Sequence, residues 1–339
     1  MDINIPNYTI PSFDLSKIAE GLPYEPRSIL GSSILNQTPS SVLILGNGFD
    51  LDLGLKTSYE DFVNSSYWPF EKSDYYDEGS LPQFLNNCLG KIGTWYDLEE
   101  ALAKFASQCV HSQEYLIKKD KEYFERLIKK LKEYLQSQEN SFVEMMNGSH
   151  RTERVSPAHY VLDKFLEKEV RTIYTFNYTN LYRIANKLIL GFQDDYTHIH
   201  GSLVRNNIIL GTGDQRNLDD NYFEFYKSAN PHYKSNNLVD HLNSADEVYI
   251  FGHSLGLNDH DYFSDFFKMA SRGVQRPFPS RKTKIRIFTL DDKSAMDIKK
   301  QLMILTERHL TGLYAHSDFE ILKTCNLCQA DWMNSKYKL

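Results

Sequence analysis

Six short runs rich in β-branched and aromatic residues constrain this chain most: residues 41–46, 170–176, 196–200, 208–211, 247–252 and 284–290. They read as nearly continuous apolar stretches rather than an in–out alternation. Strands of that kind are buried on both faces. Between and after them, residues 160–166, 181–190, 262–270 and 295–305 carry apolar side chains at helical spacing. Apolar strands alternating with helices predict an α/β fold built on a parallel sheet with helices on both sides. A different period interrupts the pattern at residues 95–138. There Leu98, Leu102, Phe105 and Cys109 follow an Asp97-x-x-Glu100 capping pattern, and Leu116, Phe124, Leu127, Leu131 and Leu135 repeat the spacing in a Lys/Glu-rich background. This predicts a helical hairpin inserted after the first strand. Residues 1–40 are polar and broken by Pro6, Pro11, Pro23, Pro26 and Pro39, and read as an extended arm. The expected organisation is an arm at 1–40, an α/β domain at 41–63 and 151–339, and a mainly helical insertion at 64–150.

Charge narrows the function classes. The chain has 38 basic and 45 acidic residues, a net charge of −7, which does not suit a nucleic-acid binder. Its longest apolar runs fall short of the roughly 18 residues a membrane span needs, and Met1 to Glu20 lacks the basic start and apolar stretch of a secretory signal. Of four cysteines, Cys325 and Cys328 form a C-x-x-C pair, while Cys88 and Cys109 stand far upstream. A four-cysteine zinc site normally uses two close pairs, so no metal is expected and reduced thiols in a cytoplasm are.

Ligands of open parallel sheets bind outside the carboxyl ends of the strands, and four such ends are polar here. The first is Gly46-Asn47-Gly48-Phe49-Asp50, with Thr57 close behind; glycines at a strand-to-helix turn let backbone N–H groups approach a phosphate, although many such turns are merely tight. The second, Thr175-Phe176-Asn177-Tyr178-Thr179-Asn180, sets amides and hydroxyls at the sheet edge, with helix capping by Asn177 or Thr179 as the plain alternative. The third is His198-Ile199-His200-Gly201. Strand alternation predicts that the two histidines share a face, where they would serve as a base, a metal pair or hydrogen-bonded core residues. The fourth, Gly252-His253-Ser254-Leu255-Gly256 with Asn258-Asp259 following, matches the G-x-S-x-G nucleophile pattern and equally a cradle for a ribose or phosphate.

Together these segments resemble the bacteriophage abortive infection AbiH family. The resemblance rests on Leu43-Ile44-Leu45-Gly46-Asn47-Gly48-Phe49-Asp50, then Gly54-Leu55-x-Thr57-Ser58-Tyr59-x-x-Phe62, Trp95-Tyr96-Asp97-Leu98-Glu99, Thr175-Phe176-Asn177-Tyr178-Thr179, Ile199-His200-Gly201 and Gly252-His253-Ser254-Leu255-x-x-x-Asp259. The same blocks are similar to a divergent sirtuin-type NAD-binding domain, which implies a Rossmann-like parallel sheet. Gly46, Gly48, Asp50, Gly54 and Leu55 fall where sirtuins carry their first glycine-rich loop. Asn177 and His200 match the sirtuin Asn and the His-Gly base, and Gly252 and Ser254 the late Gly-x-Ser. Asp50 stands where sirtuins have serine, Lys56 where they have proline and Tyr59 where they have arginine, and the deacetylase zinc module is missing.

The resemblance implies NAD hydrolysis at the nicotinamide–ribose bond during phage-triggered abortive infection. Asn177 and His200 are the expected catalytic residues, and NAD the substrate. The expected nucleotide contacts are Gly46, Asn47, Gly48, Phe49, Asp50, Thr57, Thr175, Thr179, Gly252, Ser254 and Asp259, with Glu99, His253 and His198 as further candidates. A phage-derived trigger and self-association are the expected partners, with no membrane and no nucleic acid. Two rival readings are a nucleotide or ADP-ribose sensor without catalysis, and a nuclease or serine hydrolase effector. The nuclease version would use Arg154 and His159, spaced as in certain helical ribonucleases.

Overall fold

The apolar run predicted at 41–46 forms β1 (Ser40–Leu45), which lies inside a six-stranded sheet between β2 (Val170–Thr175) and β4 (Glu247–Phe251). β3 (Tyr196–His198) lies beyond β2, and β5 (Lys284–Thr289) and β6 (Asp318–Lys323) beyond β4. Every neighbouring pair is parallel, in the order β3-β2-β1-β4-β5-β6. The computed structural model describes residues 40–89, 97–108, 113–147, 156–189, 191–274 and 282–325. Of the arm expected at 1–40, Ser40 belongs to β1 and residues 1–39 lie outside them, as do Trp95, Cys109, Arg154 and Cys328.

The strand order reverses direction between β1 and β4, so the loops after these two strands flank a topological switch point, the usual ligand position in such sheets. Period-two alternation sends β1 side chains to two cores. Val42 and Ile44 join Val248, Ile250, Ile285 and Ile287, covered by α8 (Leu238–Ser244), α9 (His260–Arg272), α10 (Asp292–Leu305) and α11 (Leu310–His316). Leu43 and Leu45 join Ile173, Tyr249 and Phe251 on the other face, under α1 (Asn47–Asp52), α6 (Pro157–Leu166) and α7 (Leu181–Leu188). The fold is therefore α/β with a parallel sheet clad on both faces, as the continuous apolar strands require.

A third core lies away from the sheet. Phe62 of α2 (Tyr59–Val63), Leu81 and Leu85 of α3 (Leu81–Leu89), Leu102 and Phe105 of α4 (Leu98–Ser107), and Phe124, Leu127 and Leu131 of α5 (Glu114–Asn147) pack on Ile208, Leu210, Tyr222 and Phe225. α4 begins where the capping pattern predicts: the Asp97 side chain accepts the Glu100 N–H at 3.1 Å. α5 runs nine residues past the expected end at 138, because Phe142 and Val143 continue its buried stripe against Ile184 and Leu55.

Three sequence expectations change. Residues 208–211 are buried but form no strand; Ile209 N–H donates to His200 O, Thr212 N–H to Phe225 O, and Tyr178 to Ile209 O, so the apolar run serves the third core instead of a ladder. β3 stops at His198, two residues early. β6, α8 and α11 went unpredicted because each is short and half-exposed along part of its length.

Candidate functional site

The glycine turn after β1 and the turn after β4 touch through their backbones. Gly46 N–H donates to Phe251 O at 2.9 Å, Gly48 N–H to Gly252 O at 2.8 Å, and Phe49 N–H to Gly46 O at 2.9 Å. A Cβ on Gly48 would stand 2.6 Å from Gly252 Cα, and one on Gly252, whose φ is +63°, 2.5 Å from Gly48 Cα. The glycines are thus explained by loop-on-loop contact. Of the amides expected to cradle a phosphate at Gly46–Asp50, those of Gly46 and Gly48 are bonded to the β4 turn and that of Phe49 to Gly46 O.

Behind this contact Asp50 is 2% exposed. Its Oδ1 accepts from Asn177 Nδ2 at 2.9 Å and its Oδ2 from the Thr179 hydroxyl at 2.7 Å. Asn177 Nδ2 also donates to Gly46 O at 3.1 Å, and its N–H to Thr175 Oγ1 at 3.1 Å. Asn177 therefore ties β2 to the first turn, while Asn180, not Asn177 or Thr179, caps α7. Burial pushes the Asp50 carboxyl up to about 7, against the pull of Thr179 and Asn177. Beside it the Thr57 hydroxyl donates to Asn47 Oδ1 at 2.7 Å.

The two histidines of the third strand end part company. With β3 ending at His198, alternation no longer governs His200, and the expectation that they share a face fails. His198 Nδ1 bonds Asn177 O at 2.8 Å, its ring against Tyr196; burial drives its pKa down to about 4. His200 stands edge-on to Phe176, with Nε2 3.3 Å from Asp259 Oδ1 but outside hydrogen-bond geometry, so this buried nitrogen has no bonded partner. Burial first, then the Lys227 cation, lower its pKa to about 3, leaving a neutral ring.

Asp259 is the hub of a second polar cluster. Its Oδ1 accepts from Lys227 Nζ at 3.0 Å, and its Oδ2 lies 3.4 Å from His253 Nε2. His253 Nδ1 accepts the Leu255 N–H at 3.0 Å, which places the ring proton on Nε2, facing Asp259. Lys227, 4% exposed, also reaches Glu99 Oε2 at 2.9 Å, and Tyr59 donates to Glu99 Oε1 at 3.3 Å. A cavity of about 300 Å³ opens beside the cluster, lined by Asp97, Glu99, Glu100, Arg216, Ser254, Asn258 and Asp259 among others. Arg216 is paired with Glu100 and donates to Asn258 Oδ1 at 3.3 Å.

The structure thus brings Glu99, His200, His253 and Asp259 together, and separately Asp50, Asn177, Thr175 and Thr179. Asn177 and His200 face different partners. Ser254 is exposed at the cavity wall, and no histidine is hydrogen-bonded to it among the described residues, so the nucleophile arrangement of a serine hydrolase is not formed. Sequence reasoning missed Lys227 and Arg216, which sit in segments without periodicity or motif, and named Asn258 only as a neighbour of Asp259. Among the described residues no group of three or more His, Cys, Asp or Glu is arranged to hold a metal ion, and no helix is long and apolar enough to cross a membrane.

Among curated proteins none matches the chain. A family model does: that of bacteriophage abortive infection AbiH matches residues 42–276, a span that contains both polar clusters and the cavity lining except Gln301 and Ile304. Since that span is more than half of the 339 residues, the chain belongs to the AbiH family of bacteriophage abortive infection proteins.

Proposed function

We propose that this abortive infection protein hydrolyses NAD at the nicotinamide–ribose bond, at the carboxyl edge of its sheet. The observation that carries the reading is the position of the Asp259 cluster: buried titratable groups beside a cavity, next to the switch point between β1 and β4. In the reaction the C1′–N bond breaks and its electron pair neutralises the nicotinamide ring. A water oxygen then bonds C1′, and its proton passes to the Asp259–His200 pair. No acid is needed for a leaving group that departs neutral. Asn177 acts one step removed, holding Asp50 and the Gly46 carbonyl as the floor beneath the turn. The similarity to sirtuin-type domains at Gly46, Gly48, Asn177 and His200 supports the same substrate.

The test is nicotinamide release from NAD by purified protein. Wild type is expected to release it, and His200→Ala to lose on the order of 10²–10⁴ in rate. Wild-type turnover in both His200→Ala and Asn177→Ala ends the mechanism. One observation favours a second reading, a nucleotide sensor: neither Asn177 nor His200 lines the cavity. Calorimetric NAD binding without nicotinamide release decides for the sensor.

A further inference from the structure

Lys227 joins two carboxylates that come from different elements of the fold. Glu99 lies in the first turn of α4, in the insertion, and Asp259 just before α9, beyond the end of β4. Lys227 Nζ is 2.9 Å from one and 3.0 Å from the other, so their oxygens lie within about 6 Å, the sum of the two contacts. Both side chains line the same cavity.

Their surroundings differ in sign. Glu99 faces the phenols of Tyr59 and Tyr178, the carboxylates of Asp97 and Asp259, and the Lys227 cation, with the Glu100–Arg216 pair farther along the wall. Burial pushes it up to about 7 in spite of Lys227. Asp259 is subject to the same burial, but Lys227, His200 and His253 together outweigh it and hold the carboxyl well below its ordinary range. Two carboxyls pushed apart in this way divide into an acid and a base. The Nε2 of His200, on a side chain 4% exposed, stands 3.3 Å from Asp259 Oδ1 without a hydrogen-bond partner among the described residues.

We propose that Glu99 and Asp259, held by Lys227, are the acid and base of this cavity, and that its substrates include N-ribosides of neutral bases, namely purine nucleosides and their 5′-phosphates. The proposal rests on the glycosidic reading above and extends it. Cationic nicotinamide leaves without a proton, whereas adenine must receive one. In the step, the Glu99 proton goes to the purine nitrogen as the C1′–N bond breaks with its electron pair. Water bonds C1′ and gives its proton to Asp259. Proton exchange between the two carboxyls restores the resting state. Lys227 is a positioning residue, acting through the carboxyls.

The experiment incubates full-length protein separately with NAD and with AMP and measures nicotinamide and adenine from pH 5 to 9. Wild type is expected to release adenine, with a rate that falls about 10-fold per pH unit above about pH 7 as Glu99 loses its proton. Glu99→Gln is expected to lower adenine release 10²–10⁴-fold and to change the adenine-to-nicotinamide ratio by at least about 10-fold. Lys227→Gln moves the alkaline limb to higher pH, because the cation no longer draws Glu99 down, and Lys227→Arg restores it. Should Lys227→Gln fail to fold, the nearly isosteric Glu99→Gln still decides. Nicotinamide without adenine overturns this inference and leaves the NAD reading standing; adenine without nicotinamide does the reverse. Release of neither base removes both, and an equal fall in both products in Glu99→Gln removes the acid role.

Discussion

Asp50 shows the cost of placing a carboxyl under the glycine turn. In the unfolded chain it ionises near its ordinary 3.8, whereas burial moves it to about 7 in the folded protein. Between those values the folded state holds a proton that the unfolded state has released. Stability contributed by this group is therefore present below about pH 4 and is lost as pH rises through about 7. At about 1.4 kcal/mol per pH unit, the loss is on the order of a few kcal/mol. Asp50→Asn keeps an acceptor for Asn177 and offers Thr179 an amide in place of the second oxygen. Urea unfolding at pH 4, 6 and 8 is expected to show wild type falling relative to the variant, with the gap widest at pH 8. Parallel curves would mean that Asp50 ionises in the folded protein as it does in water.

At the scale of elements, the β1 and β4 turns are one unit, because each occupies the space a side chain would need in the other. Gly252→Ala meets Gly48 at 2.5 Å and must hold φ +63°, so it combines overpacking, about 1–3 kcal/mol, with left-handed strain of about 1–2 kcal/mol. Gly54→Ala has φ +96° but nothing within 4 Å, so only the strain remains. Thermal unfolding is expected to rank Gly252→Ala clearly below Gly54→Ala; equal midpoints would mean that the turns separate without cost. The glycines were visible in the sequence, but their reason was not, since a G-x-G turn reads the same whether it faces a phosphate or another loop. Five of the six observed strands were legible from their apolar runs, which report burial on both faces in β1 and β4 but not in β3, where Thr197 is exposed. The run at 208–211 shows the limit of that signal: Ile208, Ile209 and Leu210 are as buried as a strand, yet their backbone groups bond to loops.

For the whole molecule, the decisive feature is that the candidate site lies on the seam between the sheet and the third core. Glu99 arrives from α4, and Lys227 lies two residues after Phe225, which stacks on Phe124 of α5 at 4.2 Å. Sequence reading named Glu99, His200, His253 and Asp259 from their motifs, but not the lysine that joins them, because a single buried lysine in an aperiodic stretch leaves no pattern. Such a seam couples the site to the insertion's packing. Phe105, fully buried, touches Tyr222 and Phe225 at 5.3 and 6.4 Å, and Phe105→Ala should cost ~3–5 kcal/mol. That loss is borne by the third core, so hydrogen exchange is expected to quicken in α4, α5 and residues 220–227 while β1 and β4 keep their protection. The Lys227 contacts would loosen with them, and ligand binding at the cavity would weaken even though Phe105 does not line it. Uniform loss of protection across sheet and insertion would instead mean that the two cores open as one, and that the seam gives the insertion no separate hold on the site.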